Sequence, residues 1–225
     1  MTKNRIFLAL LTLTGSAALC GCEAALLLGG MSQNYEYSKQ IEVEPVYYGL
    51  ENKTVAVIVQ TDQGTLYEHP GLELTLATGI SGRIQKHVAG VVVTNPVEIN
   101  NWKFKTREWY SMPYGEIAEK LNVDRLVFVD VYEYRLNPIG NRYLWDGVCA
   151  ANVGIIERDG FDPDTFVDSF SIENRFPNIS GVGRESAQRS AIEKGLMGPF
   201  IAKTAGLFHT HLVPKHPDKY KALPK

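Results

Sequence analysis

The chain predicts an α/β fold: a single domain whose mixed β-sheet of about four to five strands carries helices packed on it. Three stretches predict it. The first joins Ile117-Ala118-Glu119-Lys120-Leu121, good helix formers with Ile117 and Leu121 on one face, to the run Arg125-Leu126-Val127-Phe128-Val129-Asp130-Val131-Tyr132. The first half of that run is apolar at consecutive positions after Arg125, the pattern of a central strand covered on both faces. The second is Lys53-Thr54-Val55-Ala56-Val57-Ile58-Val59-Gln60, rich in β-branched residues and apolar enough to be central. The third is the alternation in residues 143–156, with Trp145, Cys149, Ala151, Val153 and Ile155 on one face.

Residues 1–21 open with Lys3 and Arg5, pass through Ile6-Phe7-Leu8-Ala9-Leu10-Leu11-Thr12-Leu13 and end in small residues, the anatomy of an export signal. Leu19-Cys20-Gly21-Cys22 resembles the bacterial lipobox, in which an aliphatic residue at −3 and a small one at −1 precede the lipidated cysteine. Cys22 fits with Leu19 and Gly21; Cys20 fits less well, because Leu19 falls at −1. A signal cut elsewhere and an uncleaved membrane helix are the rival readings. The second would place Glu23 inside the span, at about 2.5–3.5 kcal/mol near the bilayer centre, beside Gly15, Gly21, Gly29 and Gly30. Lipidation at Cys22 is therefore the expectation, with anchorage to a membrane through that lipid.

Residues 22–52 read as a tether. They hold charges at Glu36, Lys39, Glu42 and Glu44 and no helical period, while Tyr35, Tyr37, Tyr47 and Tyr48 place their later part on the domain. The domain spans 53–212. After its first strand, Thr61-Asp62-Gln63-Gly64 turns. Leu72, Leu76, Ile80, Ile84 and Val88 then recur every four residues as a helix, which Gly79 and Gly82 weaken by about 1 kcal/mol each while admitting close approach to the sheet. Gly90 ends it, Val91-Val92-Val93 starts a second strand, and Asn95-Pro96 closes that strand. Residues 102–114 are expected to be irregular. Residues 165–172 complete a hairpin with 143–156 across the turn Arg158-Asp159-Gly160-Phe161-Asp162-Pro163-Asp164. A helix from about Arg184 is interrupted at Gly198-Pro199 and resumes through Leu207 and Leu212, and residues 213–225 form a tail.

The formal charge of −2, more negative once Lys3 and Arg5 are removed, gives no bias toward nucleic acid, and none is expected as a partner. With Cys22 acylated and Cys20 removed, Cys149 is the one thiol left, and it reads as a small core residue. His209 and His211 are two apart, which on a helix directs them about 200° from each other. Gly181-Val182-Gly183 lacks the third glycine and the Lys-Ser/Thr of phosphate loops and reads as a flexible connector. Asp62 and Asp130 lie at strand C-terminal ends, where α/β sites form, but as isolated carboxylates. No enzyme, metal or cofactor is expected. Trp102, Phe104, Trp109 and Tyr110, interleaved with Lys103, Lys105 and Arg107, have the composition of interface hot spots. Trp102, Phe104, Arg107, Trp109 and Tyr110 are the candidate partner-binding residues, with at least one of the two tryptophans expected to be substantially exposed; the other reading is that these rings cover one end of the domain's own sheet.

The order of lipobox, tether, Lys53-Thr54-Val55-Ala56-Val57 strand, amphipathic helix, strand, helix–strand unit, hairpin and terminal helix resembles a group of bacterial envelope lipoproteins. The group includes the curli-secretion lipoprotein, the penicillin-binding-protein activator LpoB and the N-terminal domain of TolB. Its "Ala-x-x-Leu-x-x-Asp" helix falls on Ala118, Leu121 and Asp124, followed by Leu126 to Val129. The group's Gly before that turn and its "Val-Gly-Ser" strand ending are replaced, so the likeness is to a divergent branch. The resemblance implies a lipid-anchored, non-catalytic α/β domain working by protein–protein contacts, as scaffold or regulator in envelope assembly, with other envelope proteins as partners. An alternative it implies is a subunit of an envelope secretion or transport complex, which needs a membrane-entering amphipathic hairpin, for which 143–156 with 165–172 is the candidate. An enzyme with a carboxylate/His cleft is the third reading. Glu23 at +2 is not the Asp that holds some lipoproteins at the inner membrane, so the outer membrane, facing the periplasm, is the expected address.

Overall fold

The computed structural model describes residues 39–215; Cys22, Cys20, the expected export signal and most of the expected tail lie outside them. The chain divides into two compact units. In the smaller, strand β1 (Gln40–Val43) pairs with β9 (His211–Pro214), and the Lys215 amide donates to the Lys39 carbonyl. Regular structure thus begins within the stretch read as an irregular tether.

The larger unit, Glu44–His211, is an α/β domain. Strand β2 (Thr54–Thr61) is followed by α1 (Gln63–Glu68), α2 (Leu72–His87), β3 (Val92–Val93), α3 (Pro96–Lys105) and α4 (Tyr114–Lys120). Then come β4 (Arg125–Arg135), β5 (Leu144–Trp145), β6 (Gly147–Glu157), β7 (Asp168–Phe176), β8 (Val182–Gly183) and α5 (Arg189–Gly206). The main sheet has the order β3-β2-β4-β6-β7, parallel from β3 through β4 and antiparallel from β4 to β7. It is the mixed sheet the sequence predicts.

The two apolar faces of the central strands meet two different layers. Val55, Val57 and Val59 of β2 and Val127, Val129 and Val131 of β4 point to one face, with Cys149, Ala151, Val153 and Ile155 of β6. The buried stripes of α2 (Leu76, Ile80, Ile84) and α5 (Ile192, Leu196, Phe200) cover them. On the opposite face Ala56, Ile58, Leu126, Phe128 and Ile156 meet Ile99 of α3 and Ile117 and Ala118 of α4. Burying one such side chain stabilises the fold by roughly 1.5–3 kcal/mol, and doing so on both faces requires the consecutive apolar residues seen in β2 and β4.

The helix–turn–strand unit is fixed by Asp124. Its carboxylate accepts from the Thr54 amide at 2.9 Å and the Thr54 hydroxyl at 2.7 Å, locking the start of β2 to that of β4. Those bonds, with Arg158 nearby, hold its pKa below the ordinary range. Asn122, at φ 51°, supplies the left-handed turn before it. Tyr47 and Leu50 are buried in the core, and the Val46 and Tyr47 amides donate to the Leu207 carbonyl.

Several boundaries differ from the expected ones. Asn95-Pro96 does not close a strand; the Asn95 side chain accepts from the Val97 amide at 3.0 Å and Pro96 takes the first turn of α3. Gly79 makes room for a helix rather than the sheet, since a Cβ there would lie 2.5 Å from Ile201 Cδ1 of α5. Pro199 does not interrupt α5: Ile192, Leu196 and Phe200 bury one continuous stripe on both sides of it, and Pro199 faces solvent. The helix begins at Arg189, after a 3-10 turn over Arg184–Ser186, and Leu212 belongs to β9. The hairpin's second strand starts at Asp168 rather than 165, because Phe166 turns to the α3/α4 face. Val182-Gly183 is not a connector but pairs with β5.

Candidate functional site

The sheet's α3/α4 face ends in the aromatic segment, and its geometry follows from how little helix is available there. Helix α3 buries Ile99 and turns Trp102 inward, leaving Phe104 on the outer side at 77% exposed. After Thr106 the chain makes a 3-10 turn over Trp109–Ser111, with the Trp109 amide donating to Thr106 and that of Ser111 to Glu108, each at 3.0 Å. That turn brings Trp109 back against the sheet, its ring centroid 6.4 Å from that of Trp102. Both tryptophans are partly buried and pack on the apolar cluster of this face. Neither is substantially exposed, which corrects the expectation for them: few side chains of α3 and α4 are fully buried on this face, and the indoles add to its cover. Arg107 is exposed, and Tyr110 is 69% exposed.

Beneath this ledge sits a polar hub. Lys103 Nζ donates to the Val59 carbonyl at 2.9 Å and to Glu73 Oε2 at 2.6 Å, and lies 4.7 Å from the centroid of the Trp109 ring. Glu73 Oε1 accepts from the Thr61 amide at 2.9 Å and its hydroxyl at 3.2 Å. The side chains of Lys103 and Glu73 are only 11% and 14% exposed. The hub ties α2, α3 and the end of β2 together, so Phe104, Arg107 and Tyr110 stand on a rigid base.

Beside it a crevice of about 470 Å³ opens at the C-terminal end of β2 and against the middle of β4, so Asp130, paired with Gln60, is not at the end of its strand as expected: β4 runs on to Arg135. Gln60, Asp130, Tyr110, Tyr114 and Phe128 line it. Tyr114 leans on Phe128 and Phe166 with ring centroids 5.3 and 4.9 Å away. Burial and the charge of Asp130 push its phenol pKa up. Asp164, from the hairpin turn, accepts from the Gly115 amide at 2.8 Å and fixes the start of α4.

The carboxylates Asp62 and Asp130 and the histidines do not converge on one site. Asp62 caps α1, accepting from the Thr65 amide at 3.0 Å, and its bonds to Thr65 lower its pKa. Asp130 lies in the crevice. His87 and His209 stack at 4.5 Å beside the end of α2 that leads into β3, at the opposite end of the parallel strands from Asp62 and Asp130. Burial and the neighbouring His209 lower the pKa of His87. His209 and His211 follow α5 rather than lying on a helix. Among the described residues no group of three or more His, Cys, Asp or Glu side chains is placed to hold a metal. Cys149 is fully buried and its thiol is pushed up to about 12 by that burial, so it holds little thiolate at neutral pH. Among the described residues no helix is long and apolar enough to cross a membrane.

No family model and no curated protein matches the sequence. Among solved structures, the chain is similar to a PelC dodecamer from Paraburkholderia phytofirmans at 13% identity and a TM-score of 0.45, over 76% of this chain and 97% of that one. It is similar to the lipoprotein GNA1162 from Neisseria meningitidis at 11% identity and a TM-score of 0.40, over 62% and 90% of the two chains. A hypothetical protein, CT253, from Chlamydia trachomatis gives 12% identity and a TM-score of 0.41 over 68% and 96%. None is close enough to carry a functional argument.

Proposed function

We propose that this chain is a non-catalytic, lipid-anchored protein of the bacterial cell envelope, acting by protein–protein contacts as a scaffold or regulator in envelope assembly. The observation that carries the reading is the ledge: Phe104, Arg107 and Tyr110 stand exposed on a base made rigid by Trp102, Trp109 and the Lys103–Glu73 pair. Exposed aromatics and Arg on a preorganised base are the makings of an interface hot spot. The anchor is the lipid on Cys22, the address the outer membrane facing the periplasm, and the partners other envelope proteins. The secretion-subunit alternative draws no support from its hairpin, because β6 is buried on both faces and paired on both edges, as a central sheet strand.

A photo-crosslinking residue at position 104 or 110 of the full chain, expressed in its native host, is expected to capture a discrete envelope protein. The same residue at position 83, exposed on α2, is expected not to. Equal capture from position 83, or none from 104 and 110, overturns the assignment.

A further inference from the structure

Away from the ledge, a cleft of about 760 Å³ gathers arginines from distant parts of the chain. Arg135 comes from the end of β4, Arg142 from the loop before β5, Arg184 from the 3-10 turn after β8, and Arg189 from the first turn of α5. His69 and Glu68 complete the charged wall, so the lining holds four arginines and one glutamate. We propose that this cleft binds a phosphoryl anion through Arg142 and Arg184, independently of the aromatic ledge.

The charges are unevenly satisfied. Arg135 is held by Glu133 and Asp146, each at 2.8 Å, and Arg189 by Glu193 at 2.7 Å. Among the described residues neither Arg142 nor Arg184 has a carboxylate within ion-pair distance. Arg184 instead lies over the Trp145 ring, 5.5 Å from its centroid, with one long bond of 3.4 Å to the Arg142 carbonyl. Two uncompensated guanidinium forks on one cleft match the charge and the planar, bidentate donor geometry that a doubly charged phosphoryl group accepts.

Arg142 and Arg184 are exposed side chains, and the loops that carry them are fixed to one another. The Trp145 indole N–H donates to the Ala187 carbonyl at 3.2 Å, fixing the approach to α5. The Arg184 amide donates to the Tyr143 carbonyl at 2.9 Å, and Asn137 Nδ2 to the Leu144 carbonyl at 2.6 Å, so the arginine-bearing loops are sewn together. Arg189 Nη2 lies 3.1 Å from His69 Nδ1. Burial and Arg189 lower the His69 pKa, which leaves the ring neutral and able to accept from that guanidinium. The adjoining wall holds residues 184–189, the N-terminal approach to the 18-residue α5, whose Gln188 makes no side-chain cap. A helix N-terminus adds to the attraction for an anion.

The test is titration of the full chain, held in detergent, with inorganic pyrophosphate by calorimetry, and sedimentation with phosphatidylglycerol vesicles against phosphatidylcholine vesicles. Arg142→Gln and Arg184→Gln are each expected to weaken binding about tenfold or more, as loss of a charge-assisted bond does. Arg83→Gln, which removes the same charge from exposed α2, is expected to leave it unchanged. Saturable pyrophosphate binding with that pattern supports the proposal and places the ligand in solution. Binding to the anionic vesicles with the same pattern also supports it and makes the source a lipid headgroup. Binding of neither, equal loss in Arg83→Gln, or binding of an oligoglucuronate in place of pyrophosphate overturns it. Circular dichroism of each variant separates loss of the site from loss of the fold.

Discussion

Replacing Lys103 with Met tests whether the polar hub holds the ledge in place. Methionine keeps the length of the apolar stem, so the change removes the charge together with its bonds to Glu73 and the Val59 carbonyl. It leaves Glu73, 14% exposed, without its cation but still accepting two bonds from Thr61. Removing one partner of a buried pair costs about 3–5 kcal/mol, and the surviving Thr61 bonds place this case near about 3 kcal/mol. For a domain of this size that lowers Tm by roughly 6–12 °C. Glu73→Gln keeps an acceptor for Thr61 and leaves Lys103 bonded to the Val59 carbonyl, so about 1–2 kcal/mol is expected. The double variant should cost less than the sum of the two, because the orphaned charge is gone. Thermal and urea melts followed by circular dichroism, with Trp fluorescence reporting on the two indoles, measure all three. A loss below about 0.5 kcal/mol in Lys103→Met, as for an exposed pair, or strict additivity in the cycle, refutes the reasoning.

Metabolic labelling with a fatty-acid analogue should be lost in Cys22→Ser and kept in Cys20→Ser; the reverse pattern moves the anchor. Asp159 has its pKa lowered from 3.8 to about 2 by bonds from Lys53 and Arg125, so folding favours the ionised form. The stability it contributes is present above the ordinary value and lost as pH falls through about 2, so wild type and Asp159→Asn should differ constantly above about pH 5 and converge in acid. A Cβ added at Gly154 would lie 2.5 Å from the Phe166 ring. Gly154→Ala should therefore lift Phe166 from Tyr114, costing about 1–3 kcal/mol by denaturant titration and quenching crosslinking from position 110.

The central strands were legible because burial on two faces forces consecutive apolar residues into β2 and β4, and the four-residue recurrence from Leu72 to Val88 has one interpretation. Helix α3 was hidden because Asn-Pro serves equally as a turn after a strand and as a cap with Pro in the first turn. Of its apolar side chains only Ile99 is fully buried, too few to show a helical period. At Pro199 the local signal pointed to a break, and the burial of Ile192, Leu196 and Phe200 overrode it. The arginine cleft had no local signature, since β4, the loop before β5 and the start of α5 bring its residues together only after the sheet forms.

The division of the sheet's two faces also accounts for where the ledge lies. On one face α2 and α5, with 16 and 18 residues, carry long continuous stripes that bury the strands by themselves. On the other, α3 and α4 have only 10 and 7 residues, and few of their side chains are fully buried. Left uncovered, Phe128 and its neighbours would face water, and the side chains of Trp102, Trp109, Met112 and Tyr114 cover them. Lys103, next to Trp102 near the end of α3, anchors this cover, and Phe104, Arg107 and Tyr110 stand at its outer edge. The aromatic composition read as a binding signal therefore has two causes in one segment. The inward rings serve the core, and the outward ones are the residues left to meet a partner.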